Sequence, residues 1–272
     1  MHQPSYLGVF LTFARNSLIR DMMFRTNFLI EAVSSVSWMA MNLGFYAIVY
    51  QHTESIAGWG RYEFFVFIST TMFVNSLVQA FFMPNAQELS ELVRTGGLDF
   101  ALLKPIDTQF LVSLHRVNWA SLGNFFVALL LLGYSLPRIE GFEFSLWQLL
   151  LYPVFIICGV FILYSVMITL AATSIWLGRN QSLYDFWFYI TNFSRYPMEI
   201  YDKGWGIPLK IFFTYIIPIL VVINVPAGLL AKPFSADNAQ LAAFAAIATV
   251  LSLLTSRWVF KKALWSYRSA SS

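Results

Sequence analysis

The sequence predicts an all-α polytopic membrane protein of six transmembrane helices, and three observations carry that reading. Of 272 residues, 58% are hydrophobic and 11% charged, with a mean hydropathy of +0.64; soluble domains hold about 25% charged residues. Tracts 64–83, 117–136, 144–178, 211–231 and 239–256 contain no charge at all, and about 20 helical residues cross the roughly 30 Å hydrocarbon core. The tracts are continuously apolar rather than alternating, which argues against a β-barrel. The chain reads as a single domain, 1–272, without repeats or a linker.

Residues 1–26 carry spaced arginines and no short apolar run ending in a small-residue cleavage site, so they do not read as a signal peptide. Leu7, Phe10, Leu11, Ala14 and Leu18 share one helical face, which predicts an interfacial helix. Spans 1 to 4 are expected at 28–50, 62–83, 110–136 and 146–177, and the last span at 239–260. Lys and Arg mark cytoplasmic flanks. With the N-terminus inside, Arg15, Arg20, Arg25, Arg94, Lys104, Arg116, Arg179, Arg257, Lys261, Lys262 and Arg268 all fall inside, 11 of the 17 Lys and Arg. Both ends inside requires 178–238 to make one net crossing. One arrangement puts the fifth span at 181–200, followed by a re-entrant outer hairpin over 203–236 broken by Pro218 and Pro226. The other makes 208–231 the span and lays 180–200 on the inner surface.

Chemistry is constrained by what is missing. There is no phosphate-binding G-x-x-x-x-G-K-[ST] loop, no G-x-S-x-G elbow and no H-E-x-x-H pair. His2, His52 and His115 are scattered, and Cys158 lies in an apolar run as a packing residue, so no metal site or disulfide is expected. Carriers need intramembrane charges; the nearest is Glu31, expected to snorkel toward Arg25 or Arg20. A net charge of +3 gives no case for nucleic acid. If the protein moves anything, its energy comes from a partner.

Residues 84–109 form a cytoplasmic segment after span 2. QELSELVR is amphipathic, with Leu89, Leu92 and Val93 on one face. Gly96 and Gly97 end that helix in the left-handed conformation, Asp99 caps a second short helix, and Pro105 stops it. The product is a helix-turn-helix that shows leucines and a phenylalanine to the cytosol.

Residues 92–105, Leu-Val-Arg-Thr-Gly-Gly-Leu-Asp-Phe-Ala-Leu-Leu-Lys-Pro, resemble the "I-R-x-G-x-L-D-x-x-L-x-x-P" segment of type-2 ATP-binding-cassette (ABC) permeases, in a bacterial branch of about 260–270 residues. Tyr215 to Pro218 and Asn224 to Ala227 are similar to that branch's proline-bearing segment before the last span. The tail from Trp265 to Ser271 resembles its "Y-x-S-A-G-G" ending, with serines in place of the final glycines. The likeness runs in order along nearly the whole chain.

The resemblance implies a permease subunit of an ABC exporter in the cell (inner) membrane, both termini cytoplasmic. It implies a coupling helix docked on a separate cytosolic ATPase, through Arg94, Gly96, Gly97, Leu98, Asp99, Phe100, Leu103 and Pro105. Leu98, Phe100 and Leu103 would bury apolar surface there, and Arg94 would pair with an ATPase carboxylate. ATP and magnesium would reside on that partner, with no cofactor on this chain and no enzyme activity of its own. A second permease chain, identical or paralogous, would meet this one around spans 1 and 5, among membrane lipids. The alternative is a membrane scaffold or signalling subunit of the same fold; a membrane-embedded enzyme is disfavoured. Tyr184, Phe186, Trp187, Phe188, Tyr189, Phe193 and Tyr196 read either as an interfacial aromatic belt or as a wall for a lipid-like substrate. The alanine-rich last span reads as packing within the chain.

Overall fold

The computed structural model describes residues 5–141, 145–177, 188–233 and 235–268. The described residues are helical almost throughout, and the one strand pair among them is a short hairpin, β1 (Ser55–Ile56) against β2 (Trp59–Gly60). Among the described residues, five helices are long and apolar enough to span a membrane, and a bent pair would make six if it counted as one span. The chain is a multi-pass membrane protein.

Helix α1 (Tyr6–Met23) starts at Ser5, whose hydroxyl accepts from Gly8 N, and breaks at Phe24 into α2 (Arg25–His52). Leu7, Leu11 and Leu18 are exposed while Ala14 and Ser17 are buried. Trp119 Nε1 donates to Ala14 O at 3.1 Å and Val117 N to Ser17 Oγ at 3.1 Å, so α1 is bound to one end of the bundle, hereafter the near end. Only 6% of the span in α2 is buried within the chain.

Helix α3 (Arg61–Phe81) is the most enclosed span, with Phe64, Val66, Phe67 and Val74 in the main core. Helices α4 (Met83–Thr95), α5 (Gly97–Leu102) and α6 (Thr108–Leu114) follow at the near end, and α7 (Gly123–Ser135) returns across the bundle. The expected third span, 110–136, is therefore too long at its start. Residues 108–114 belong to α6, and 115–119 are irregular. Asn85 explains the break. Its amide donates to Arg116 O at 2.8 Å and its carbonyl accepts from Arg116 N at 2.9 Å, taking both backbone groups that a continuing helix would use.

Helix α8 (Leu146–Ala172), extended by α9 (Ser174–Leu177), runs from the far end to the near end. Of the expected span 181–200, residues 181–187 lie outside the described residues; so do Tyr184, Phe186, Trp187 and Arg179. Residues 188–192 are helical, and Phe193–Arg195 and Met198–Tyr201 are two separate 3-10 turns, so the described part is no unbroken helix. Leu177 is at the near end, and Glu199 accepts from Trp59 Nε1 at 3.1 Å at the far end.

A hairpin follows. Helix α10 (Gly206–Ile211) continues as a π-helical turn to Ile216, bends by 90° near Pro218, and returns as α11 (Leu220–Ala231). Both limbs open at the far end. Lys210 pairs with Asp202 there, and Lys232 Nζ reaches Glu63 Oε2 at 2.6 Å and the Gly58 carbonyl. Pro218 supplies the bend because it has no N–H to extend the ladder. Pro226 sits inside α11, buried, without ending it. The hairpin seats closely: a Cβ on Gly159 of α8 would stand 2.8 Å from Val222 O, and Asn224 Oδ1 accepts from Met198 N at 2.8 Å. Helix α12 (Ala236–Ser266) packs on α8 and the hairpin, turning Ala242, Ala245 and Ala248 inward.

Candidate functional site

The near end presents α4, α5 and α6 as one compact unit. Gly96 stops α4 at φ +74° and Gly97 opens α5. The left-handed position is thus Gly96 alone, where Cβ strain excludes most residues. Gly97 has helical backbone, but an added Cβ would lie 2.9 Å from Leu92 Cδ2 and 3.4 Å from Thr95 Oγ1. Valine at 97 is expected to wedge α5 off α4 by sterics, not by the left-handed strain expected from sequence. Gly97→Val should cost about 1–3 kcal/mol, in the range of overpacking, read as a lower unfolding midpoint in detergent.

Asp99 does not cap α5. Gly96 is the N-cap residue, and no side-chain cap bond is made. Asp99 lies in the first helical turn, where a carboxylate suits the dipole, and it faces the Tyr267 hydroxyl. Burial first, then Asp99, pushes the Tyr267 phenol up. Tyr267 is therefore set against α5.

Leu98 is the largest departure from expectation. It is 0% exposed, packed with Leu89, Ala101, Leu111, Val112, Ile168 and Phe260 in a core cluster at the near end. Leu89 is buried too, and Leu92 and Val93 pack on the same cluster. These residues turn inward because α4 and α5 lie across the ends of α8 and α12, whose apolar surface they cover. The surface offered outward is different: Phe100 is 73% exposed and Leu103 81%, with Leu102, Lys104 and Pro105 also exposed. Arg94 is bound to Glu91, three residues back; its Nε donates to Glu91 Oε2 at 2.8 Å. A cavity of about 420 Å³ beside Phe100 separates α5 from α1, with Phe13, Arg20, Glu88, Lys104 and Arg116 among its walls. At its edge Glu88 holds both Arg116 Nη1, at 2.9 Å, and His115 Nε2, at 3.2 Å. Burial outweighs Glu88 and lowers the His115 pKa.

Below this unit lies a polar network that the sequence did not single out. Asp107 caps α6, accepting from Phe110 N at 3.0 Å, and pairs with Arg257 of α12. Arg257 Nη1 also reaches Gln109 Oε1 at 3.0 Å. Gln109 Nε2 and Ser113 Oγ meet the Tyr164 hydroxyl of α8 at 3.0 and 2.9 Å. The Asp107 cap was legible as an Asp preceding Thr-Gln-Phe after a proline; its partnership across 150 residues was not. Thus Arg94, Gly96, Gly97, Leu98, Asp99, Phe100, Leu103 and Pro105 share one unit, fastened to two spans. Pro218 and Pro226 belong to the separate hairpin.

Among the described residues no group of His, Cys, Asp and Glu is arranged to hold a metal. A family model described as "ABC-2 family transporter protein" matches residues 36–271. No curated protein and no solved structure matches the chain.

Proposed function

This chain belongs to the ABC-2 transporter family as a membrane permease component, and from that premise we propose that it is the permease of an exporter driven by an ATPase on a separate cytosolic chain. The near end would then be cytoplasmic, with both termini there, in the cell inner membrane. Two permease chains, identical or paralogous, would enclose the pathway. ATP and magnesium would be bound by the ATPase. The arginine-rich near end agrees with that orientation.

One observation carries this reading. Phe100 and Leu103 stand exposed on a short helix whose opposite face, Leu98 and Ala101, is fixed onto the ends of α8 and α12. An apolar pair on a rigid mount suits docking into a partner's groove. The network through Asp107, Gln109, Arg257 and Tyr164 links that mount to two spans, so displacement of the mount by a partner would be passed to them. Spans 1 and 5 remain the proposed contact with the second permease, and the scarcely buried α2 supports this for span 1. The test is capture: tagged permease from gently solubilised membranes is expected to retain a nucleotide-hydrolysing subunit. Full recovery of the permease with no associated ATPase activity would overturn the reading.

A further inference from the structure

Helix α12 has two opposite faces. Ala245, Ala248, Ser256, Phe260 and Ala263 lie on one and are buried against the rest of the chain. The opposite face is exposed, and its chemistry changes on the way to the near end. In the middle of the span it is apolar, with Ile247, Leu251 and Leu254 at helical spacing. The same row continues as Trp258, Lys261, Lys262 and Trp265. Trp258 is 61% and Trp265 86% exposed, both lysines are exposed, and Lys262 Nζ lies 4.9 Å from the centre of the Trp258 ring. Among the described residues neither lysine has an ion pair. No Asp or Glu follows Asp237 in the chain. Asp107 and Asp99 meet this half of α12 at Arg257 and Tyr267, outside the row. The two ammonium groups are therefore uncompensated.

We propose that this face binds an anionic phospholipid, its acyl chains against Ile247, Leu251 and Leu254 and its phosphate held by Lys261 and Lys262. The order of the row matches the order of the lipid. Apolar side chains lie within the span, and the lysines follow two turns beyond Leu254. Trp258 and Trp265 flank them, and such rings favour the headgroup level. Basic side chains just past a span attract acidic headgroups, and an ammonium serves a phosphate as a compact point charge. A water-soluble phosphate would meet the lysines but leave the apolar half of the row uncovered. Arg257, one turn before Lys261, holds the α6 cap Asp107. A lipid seated here thus rests on the stretch of α12 that fastens the near-end unit. Such binding requires α12 to be a membrane span, and no ATPase.

The experiment titrates the purified protein, in a neutral detergent, with phosphatidylglycerol or phosphatidylcholine of identical acyl chains. Native mass spectrometry counts the lipids bound. Saturable binding of phosphatidylglycerol is expected, at least about tenfold tighter than that of phosphatidylcholine. Lys261→Gln with Lys262→Gln should bring the acidic lipid down to the level of the neutral one, while arginine at both positions should keep the preference. Arg15→Gln with Arg25→Gln, an equal loss of charge elsewhere at the near end, should leave it unchanged. Equal affinity for the two lipids in the wild-type protein, a comparison that needs no variant to fold, would overturn the proposal. So would an equal loss in the Arg15/Arg25 variant, which would mean unspecific attraction. Displacement of the lipid by an equal concentration of soluble glycerol phosphate would give the lysines to a free phosphate and sink the lipid assignment. A change in oligomeric mass on Lys261→Gln with Lys262→Gln, lipid binding being unchanged, would give this face to a second copy instead.

Discussion

Permease carrying Phe100→Asp together with Leu103→Asp is expected to lose its ATPase while keeping its fold. Both side chains are exposed, so the substitutions remove no core contact, and surface changes usually lie within about 0.5 kcal/mol. Each apolar side chain buried in a partner's groove would contribute about 1–3 kcal/mol. Loss of both, plus two carboxylates needing desolvation, should lower ATPase retention at least about a hundredfold by the tenfold-per-1.4 kcal/mol rule. Leu98→Asp should behave oppositely to a docking variant. It places a charge in a closed apolar cluster, and even Leu98→Ala should cost about 2–5 kcal/mol. Thermal unfolding in detergent and ATPase pull-down at matched permease levels separate the two. The docking assignment fails if the Phe100/Leu103 double variant still captures the ATPase in full.

The second large effect is expected at the fastening between the near-end unit and α12. Arg257→Gln leaves Asp107 as a half-enclosed carboxylate without its cation. Breaking a buried pair costs about 3–5 kcal/mol; with the Asp107 and Arg257 side chains 28% and 39% exposed, about 1–3 kcal/mol is the expected loss after screening. Replacing both, Arg257→Met with Asp107→Leu, should recover part of it, since no charge is then left unpaired. The pH dependence has a definite sign. Burial alone would raise the Asp107 pKa, but bonds from Arg257 and from backbone N–H groups outweigh it and hold it below the usual carboxylate value. Its stabilising contribution is therefore present above the unfolded value, about 3.9, and is lost as pH falls through the lower folded value. The stability gap between wild type and Asp107→Asn should hold from pH 7 down to about 4 and close only below that. A gap that closes between pH 5 and 7 would show that Asp107 is not the depressed group.

Much of the architecture was legible because long charge-free helices have few places to go other than lipid. The errors have a common physical origin. An apolar residue satisfied by a neighbouring helix and one satisfied by lipid or a partner look alike in sequence. Leu111 and Val112 extended the third span on paper, yet they pack under α5 and α8. Leu98 was assigned to the ATPase for the same reason. Helical spacing did hold a clue, since 98 and 101 share one face of α5 while 100 and 103 share the other. What it lacked was which face was already covered. The Asn85 bonds and the Arg257 pair depend on residues 31 and 150 positions apart, beyond the reach of local pattern.

The tie between Lys232 and Gly58 has a consequence for how the protein is made. The bond joins residues 174 apart, and Lys232 also lies 4.9 Å from the centre of the Trp59 ring. Ends so distant in sequence meet only after the intervening chain has been threaded into the bilayer. The hairpin cannot reach its seat while the ribosome is still delivering the fourth span. It must wait, then slide between helices already standing in the membrane, with the Gly58–Trp59 turn as its doorstop. Seating of the hairpin would therefore be a late event at the far surface, followed by α12, whose Arg257 then fastens the near-end unit, and a nascent chain stalled before Lys232 would hold its first spans without the wedge between them.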